Sequence, residues 1–81
     1  MQELIFEKCR QMRLGVNGLF SFHDWNNMKW SFNPKERDEF EKCFLQLVEN
    51  GVFIAERVAE QAYQYRLTEK GYMVIYKDIR F

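Results

Sequence analysis

Apolar residues recur along this chain at two periods, and the changes of period divide it into elements. Between Gln2 and Arg13, Ile5, Cys9 and Met12 recur at helical spacing, and Val16 continues the same face. Gly15 and the Asn17-Gly18 pair then break the helix. From Pro34 to Asn50, Phe40, Cys43, Phe44, Leu47 and Val48 draw one apolar stripe, which predicts the longest helix. Asn33 caps it and Pro34 fits its first position, while Asn50-Gly51 supplies a left-handed residue to end it. The period then falls to two. Val52–Ala55 and Tyr63–Leu67 predict two strands, with Tyr63, Tyr65 and Leu67 on one side and Gln64 and Arg66 on the other. The connection around Val58–Gln61 predicts a loop longer than a tight two-residue turn. Thr68 caps a last helix, whose stripe is Tyr72, Ile75, Tyr76 and Ile79.

The stretch Leu19 to Phe32 supports two assignments. Leu19-Phe20-Ser21-Phe22 alternates as a short strand does, and Ser21 equally suits the cap of a short helix through Trp25. Asn26-Asn27 predicts a turn.

Composition narrows the picture. Eighty-one residues, 47% of them hydrophobic, suit one domain over residues 1–81. Aromatic residues reach 17%, more than a small core requires, so some rings are expected in a surface contact patch. Twelve basic residues balance twelve acidic ones. Nucleic-acid binders usually carry a basic excess, because counterion release drives their binding. Cys9 and Cys43 fall on the apolar faces of their helices and are expected as buried thiols. Without a CxxC pair or a Cys/His cluster, neither a metal nor a cofactor is expected. The lone His23, the absence of a nucleophile elbow and the absence of a glycine-rich phosphate loop argue against an enzyme. No leader and no membrane-length apolar run is visible, so the expectation is an intracellular protein that does not contact membranes.

The motif Leu47-Val48-Glu49-Asn50-Gly51-Val52-Phe53 resembles the end of the recognition helix in MarR- and PadR-type regulators. Tyr65-Arg66-Leu67-Thr68-Glu69-Lys70-Gly71-Tyr72 is similar to the segment leaving their wing. The likeness covers residues 36–76. It implies an α+β, mainly α, winged helix-turn-helix: about three helices and a two- or three-stranded β-wing. It further implies a DNA-binding, transcription-regulatory protein; at this size a dimer is expected, with the final helix, through Met73, Tyr76, Ile79 and Phe81, as its candidate surface. In this family the long helix enters the major groove and the wing touches the backbone.

Charge departs from that pattern. Between Lys35 and Glu49, three basic residues (Lys35, Arg37, Lys42) face five acidic ones (Glu36, Asp38, Glu39, Glu41, Glu49). The outer face of the long helix would present Lys35, Asp38, Glu39, Lys42, Leu45, Gln46 and Glu49. The residues left to contact DNA are Asn26, Asn27, Lys29, Lys35, Arg37, Arg57 and Arg66. The alternative is a protein-binding winged-helix module that steers a basic partner with its acidic helix. Its anchors would be Trp25, Met28 and Trp30, with Met73 and Phe81 as further protein-contact candidates.

Overall fold

The computed structural model describes residues 1–79; Phe81 lies outside the described residues. It is an α+β fold of four helices and a three-stranded antiparallel sheet. In chain order the elements are α1 (Gln2–Gln11), β1 (Leu19–Phe20), α2 (Phe22–Trp30), α3 (Pro34–Glu49), β2 (Phe53–Ala59), β3 (Ala62–Leu67) and α4 (Glu69–Tyr76). The sheet order is β1-β3-β2. The first strand therefore lies beside the last, and the hairpin β2–β3 projects from that pair.

Local chemistry explains most boundaries. Asn33 and Glu36 form a reciprocal capping box at the start of α3, behind Pro34 in the first turn. The helix ends in a Schellman motif. Gly51, at φ +80°, lets its own N–H reach the Val48 carbonyl at 3.0 Å, and the Val52 N–H reach the Leu47 carbonyl at 2.9 Å. α1 closes in the same way, but with Arg13 at φ +53° in the left-handed position, so that Leu14 N–H bonds to Cys9. This early stop overturns the expected continuation to Arg13 and Val16: Val16 leaves the helical face and is exposed. Asp78, at φ +52°, follows the end of α4 and likewise takes Ile79 off its expected stripe into solvent.

Both assignments of the 19–32 stretch hold at once. Leu19 and Phe20 pair with Arg66 and Tyr65, and Ser21 caps α2 by accepting the Asp24 N–H at 3.1 Å. The expected Asn26-Asn27 turn is instead mid-helix. There Asn26 accepts from Trp30 and Asn27 bonds His23, both one turn away. The hairpin is also tighter than expected. β2 runs on to Ala59, which pairs with Ala62, so only Glu60 and Gln61 connect the strands; a bulge between Arg57 and Ala59 absorbs the extra residue.

The core is built around rings. Phe6, Phe20, Phe40, Phe44 and Phe53 are fully buried, with Ile5, Leu67 and Cys9. Phe44 is its centre, with ring centroids 4.5 Å from Tyr65, 4.9 Å from Phe53, 5.3 Å from Phe20 and 5.6 Å from Phe40. Much of the aromatic excess is therefore internal. Cys9 is buried as expected, whereas Cys43 is only half-buried, and both are free thiols. The two ends of the fold are tied together. Arg10 donates twice to the Ile75 carbonyl, at 3.2 and 3.3 Å, and the Tyr76 hydroxyl donates to the Cys9 carbonyl at 3.2 Å.

Candidate protein-binding groove

Three elements each turn one periodic row of side chains toward the same open groove, of about 720 Å³. From α2 come Phe22, Trp25, Asn26 and Lys29, and from α3 come Glu41, Phe44, Leu45 and Val48. Both rows follow the i, i+3, i+4, i+7 spacing of one helical face. From the hairpin come Tyr63 and Tyr65, two residues apart on β3, together with Ala55, the cross-strand partner of Tyr65, and Gln61 from the turn. Phe44 and Tyr65 carry the core up to the groove floor. Trp25 extends that floor, 6.4 Å from Phe44 and 6.3 Å from Tyr65, and Phe22 stacks on Trp25 at 6.4 Å. The mouth is apolar and open to solvent: Leu45 is 60% exposed, Tyr63 42% and Phe22 36%.

Polar groups mark the rim. Lys29 on α2 forms an ion pair with Oε1 of Glu41 on α3, which links the two helical walls. The Lys29 ammonium also lies 5.4 Å from the Trp25 ring and 5.6 Å from the Trp30 ring. Trp25 Nε1 is buried without a hydrogen-bond acceptor. Burial, with Tyr63 and Glu41 nearby, raises the pKa of the Tyr65 phenol, which keeps a neutral hydroxyl at the floor.

Leu45 stands in a charged row, in which exposed Lys42, three residues earlier, lies between Asp38 and Glu49. At about 100° per residue, Asp38 (seven earlier) and Glu49 (four later) lie within about 40° of it around α3. Both are exposed, and neither has a salt-bridge partner among the described residues.

A second cluster adjoins the groove at the α2–α3 turn. Trp30 is 58% exposed, donates from Nε1 to Asn26 Oδ1 at 3.1 Å, and carries the Arg37 guanidinium over its ring at 4.3 Å. The Nε of Arg37 is buried without an acceptor.

These positions divide the residues named from sequence. Of the seven DNA candidates, Asn26, Lys29 and Arg37 gather around Trp30, and Asn27 is held by His23 at 3.1 Å. Arg66 does not join them. It pairs in register with Ile54, on the sheet face opposite Tyr65, and bonds Glu56 at 2.7 Å and the Asn17 carbonyl at 3.2 Å. Arg57 lies near the hairpin turn and donates to the Ala59 carbonyl at 3.2 Å. Lys35 is exposed in the first turn of α3. Among the protein-contact candidates, Trp25 lines the groove and Trp30 stands beside it, but Met28 packs partly buried against the core. Met73 is half-buried on α4, away from the groove.

Sequence reasoning missed Phe22, Glu41, Tyr63 and Tyr65 as site residues. It placed Leu45 on the outer face without assigning it a role. A leucine among charged residues on a solvated helical face was the available signal.

Searches of known protein families, of curated proteins and of solved structures find no match to the chain.

Proposed function

We propose that this chain is a winged-helix module that binds a protein segment in the groove between α2, α3 and the hairpin. Element order supports the winged-helix assignment: helix, strand, two helices, a two-stranded ribbon and a closing helix, with sheet order β1-β3-β2. In that assignment α3 is the recognition helix and β2–β3 the wing.

The observation that carries the protein-binding role is Leu45. An exposed leucine at the mouth of a ring-floored groove, beside Glu41 and in a row with Asp38, Lys42 and Glu49, presents apolar surface and a net negative charge together. Duplex phosphates are repelled by such a row within a Debye length of about 10 Å. Binding in the groove covers its rings, and grooves of this kind take amphipathic segments. Moreover, five of the seven candidate DNA contacts are engaged with other side chains, which opposes direct base readout.

Selection from a displayed random-peptide library on the immobilised protein tests this role. The expected result is a set of binders whose affinity falls at least about tenfold, or roughly 1.4 kcal/mol, with Leu45→Glu. The variant should melt like the parent, because Leu45 is exposed. Binders indifferent to Leu45→Glu would sink the role.

DNA binding with a transcription-regulatory role is the second reading, favoured by Lys35 and Arg57, both exposed on the elements that would meet a duplex. It requires that random duplex at low salt be retarded by tens of micromolar protein, and that Lys35→Glu with Arg57→Glu abolish the retardation.

A further inference from the structure

The groove also constrains the chemistry of what enters it. We propose that its occupant is an amphipathic helix with lysine or arginine flanking an apolar face. This proposal rests on the protein-binding role of the groove and adds the conformation and charge of the partner.

Backbone bonding argues for a helix over an extended strand. The hairpin meets the groove with its face, through Ala55, Tyr63 and Tyr65, and not with an edge. The main-chain groups of β3 lie in the plane of the sheet, directed toward β2 on one side and, at Tyr65 and Arg66, toward β1 on the other, and not out of the face that meets the groove. An extended segment entering the groove would therefore lose water from its own N–H and C=O groups without finding partners. A helix carries its hydrogen bonds internally and brings only side chains. Anchors at i, i+3 or i+4, and i+7 can then interleave with Phe22, Leu45 and Tyr63.

Charge argues for a basic flank. Asp38 and Glu49 stand beside Leu45 without an ion-pair partner among the described residues. The charge of Glu41 is already met by Lys29 across the groove. Asp38 and Glu49, with Lys42 between them, leave one net negative charge along the outer side of the mouth, which complements lysine or arginine on the flank of an entering helix. Neither α1 nor α3 of a second copy supplies that helix. The α1 row around exposed Leu4 contains Glu3 and Glu7 as well as Lys8, and α3 is itself acidic.

Two synthetic helical peptides of about 18 residues test the proposal. Both carry leucine at the anchor positions; one has lysine on its flanks and the other glutamate. Binding is followed by 1H–15N chemical shifts and by titration calorimetry. The lysine peptide is expected to shift Leu45, Tyr63 and the Trp25 indole, and to bind at least tenfold more tightly than the glutamate peptide. Raising salt should narrow that gap, and Asp38→Lys with Glu49→Lys should reverse the preference. Equal affinity of the two peptides, with shifts still centred on Leu45, would overturn the basic occupant and leave the groove role standing. Lysine-peptide binding that survives Leu45→Glu, or shifts centred elsewhere, would overturn both. Failure of either peptide to bind at hundreds of micromolar would overturn the helical basic occupant, leaving the groove itself to the library selection.

Discussion

At the residue scale, Gly71 shows how one atom decides a sign. It occupies the first turn of α4, where alanine is ordinarily the better helix former by roughly 0.5–1 kcal/mol. Here a Cβ would sit 2.2 Å from the Val52 carbonyl oxygen and 2.7 Å from Leu67 Cδ1. The oxygen belongs to backbone that is already fixed: Val52 accepts from the Thr68 N–H at 3.1 Å and from the Thr68 hydroxyl at 3.0 Å. Relief would require α4 to move away from the start of β2. Gly71→Ala is therefore expected to destabilise the fold by about 1–3 kcal/mol, the usual range for overpacking, visible as a lower urea midpoint. A neutral or stabilising result would mean that α4 shifts freely. The Leu-Thr-Glu-Lys-Gly string on which the family likeness partly rests thus has a packing reason at Thr68 and Gly71. It marks architecture and not a chemical activity.

At the scale of elements, α3 depends on its N-terminal box as well as its stripe. Asn33 Oδ1 accepts from the Glu36 N–H at 2.9 Å, and Glu36 Oε1 accepts from the Asn33 N–H at 3.2 Å. Asn33→Ala is expected to lower stability by about 1 kcal/mol. For a domain of this size that is about 4–8 °C in Tm, which a circular-dichroism melt resolves. An unchanged Tm would show that packing of Phe40 and Phe44 alone fixes the start of the helix. α3 was the most legible element because stripe, cap, proline and terminal glycine all agree in the sequence. The ends of α1 and α4 were not legible, because Arg13 and Asp78 adopt the left-handed conformation that glycine usually announces, while Val16 and Ile79 continue the apolar period past them. α2 carries no buried residue to draw a stripe. It is fixed by Ser21 and by Trp25 and Met28 packing on neighbouring elements, so Asn26-Asn27 imitates a turn. At the site, Trp25 was singled out from the sequence, and it lines the groove. The groove was not, since it needs α2, α3 and the hairpin brought together across the chain.

At the scale of the molecule, burial is the leading cause that raises the pKa of four groups among the described residues. The Cys9 thiol is pushed up to about 12 from 9.0; Cys43, Tyr65 and Tyr76 move in the same direction. At neutral pH these groups are protonated in folded and unfolded chains alike, and their contribution is complete. Above pH 9.0 the unfolded chain releases the Cys9 proton while the folded chain retains it until about 12, so alkali draws the equilibrium toward unfolding. Stability should therefore fall progressively from about pH 9 toward pH 12, with Cys9→Ala flattening part of the decline. Denaturant midpoints measured across that range would check it, and a parallel decline in the variant would remove Cys9 as a source. The hydrogen bonds from Arg10 to Ile75 and from Tyr76 to Cys9 have a further consequence. They join positions 65 and 67 apart in the chain. During synthesis from the N-terminus, α4 has to leave the ribosome before α1 can latch onto it. Until then the greasy faces of the segment between them stay unsealed, and the arrival of α4 completes the seal.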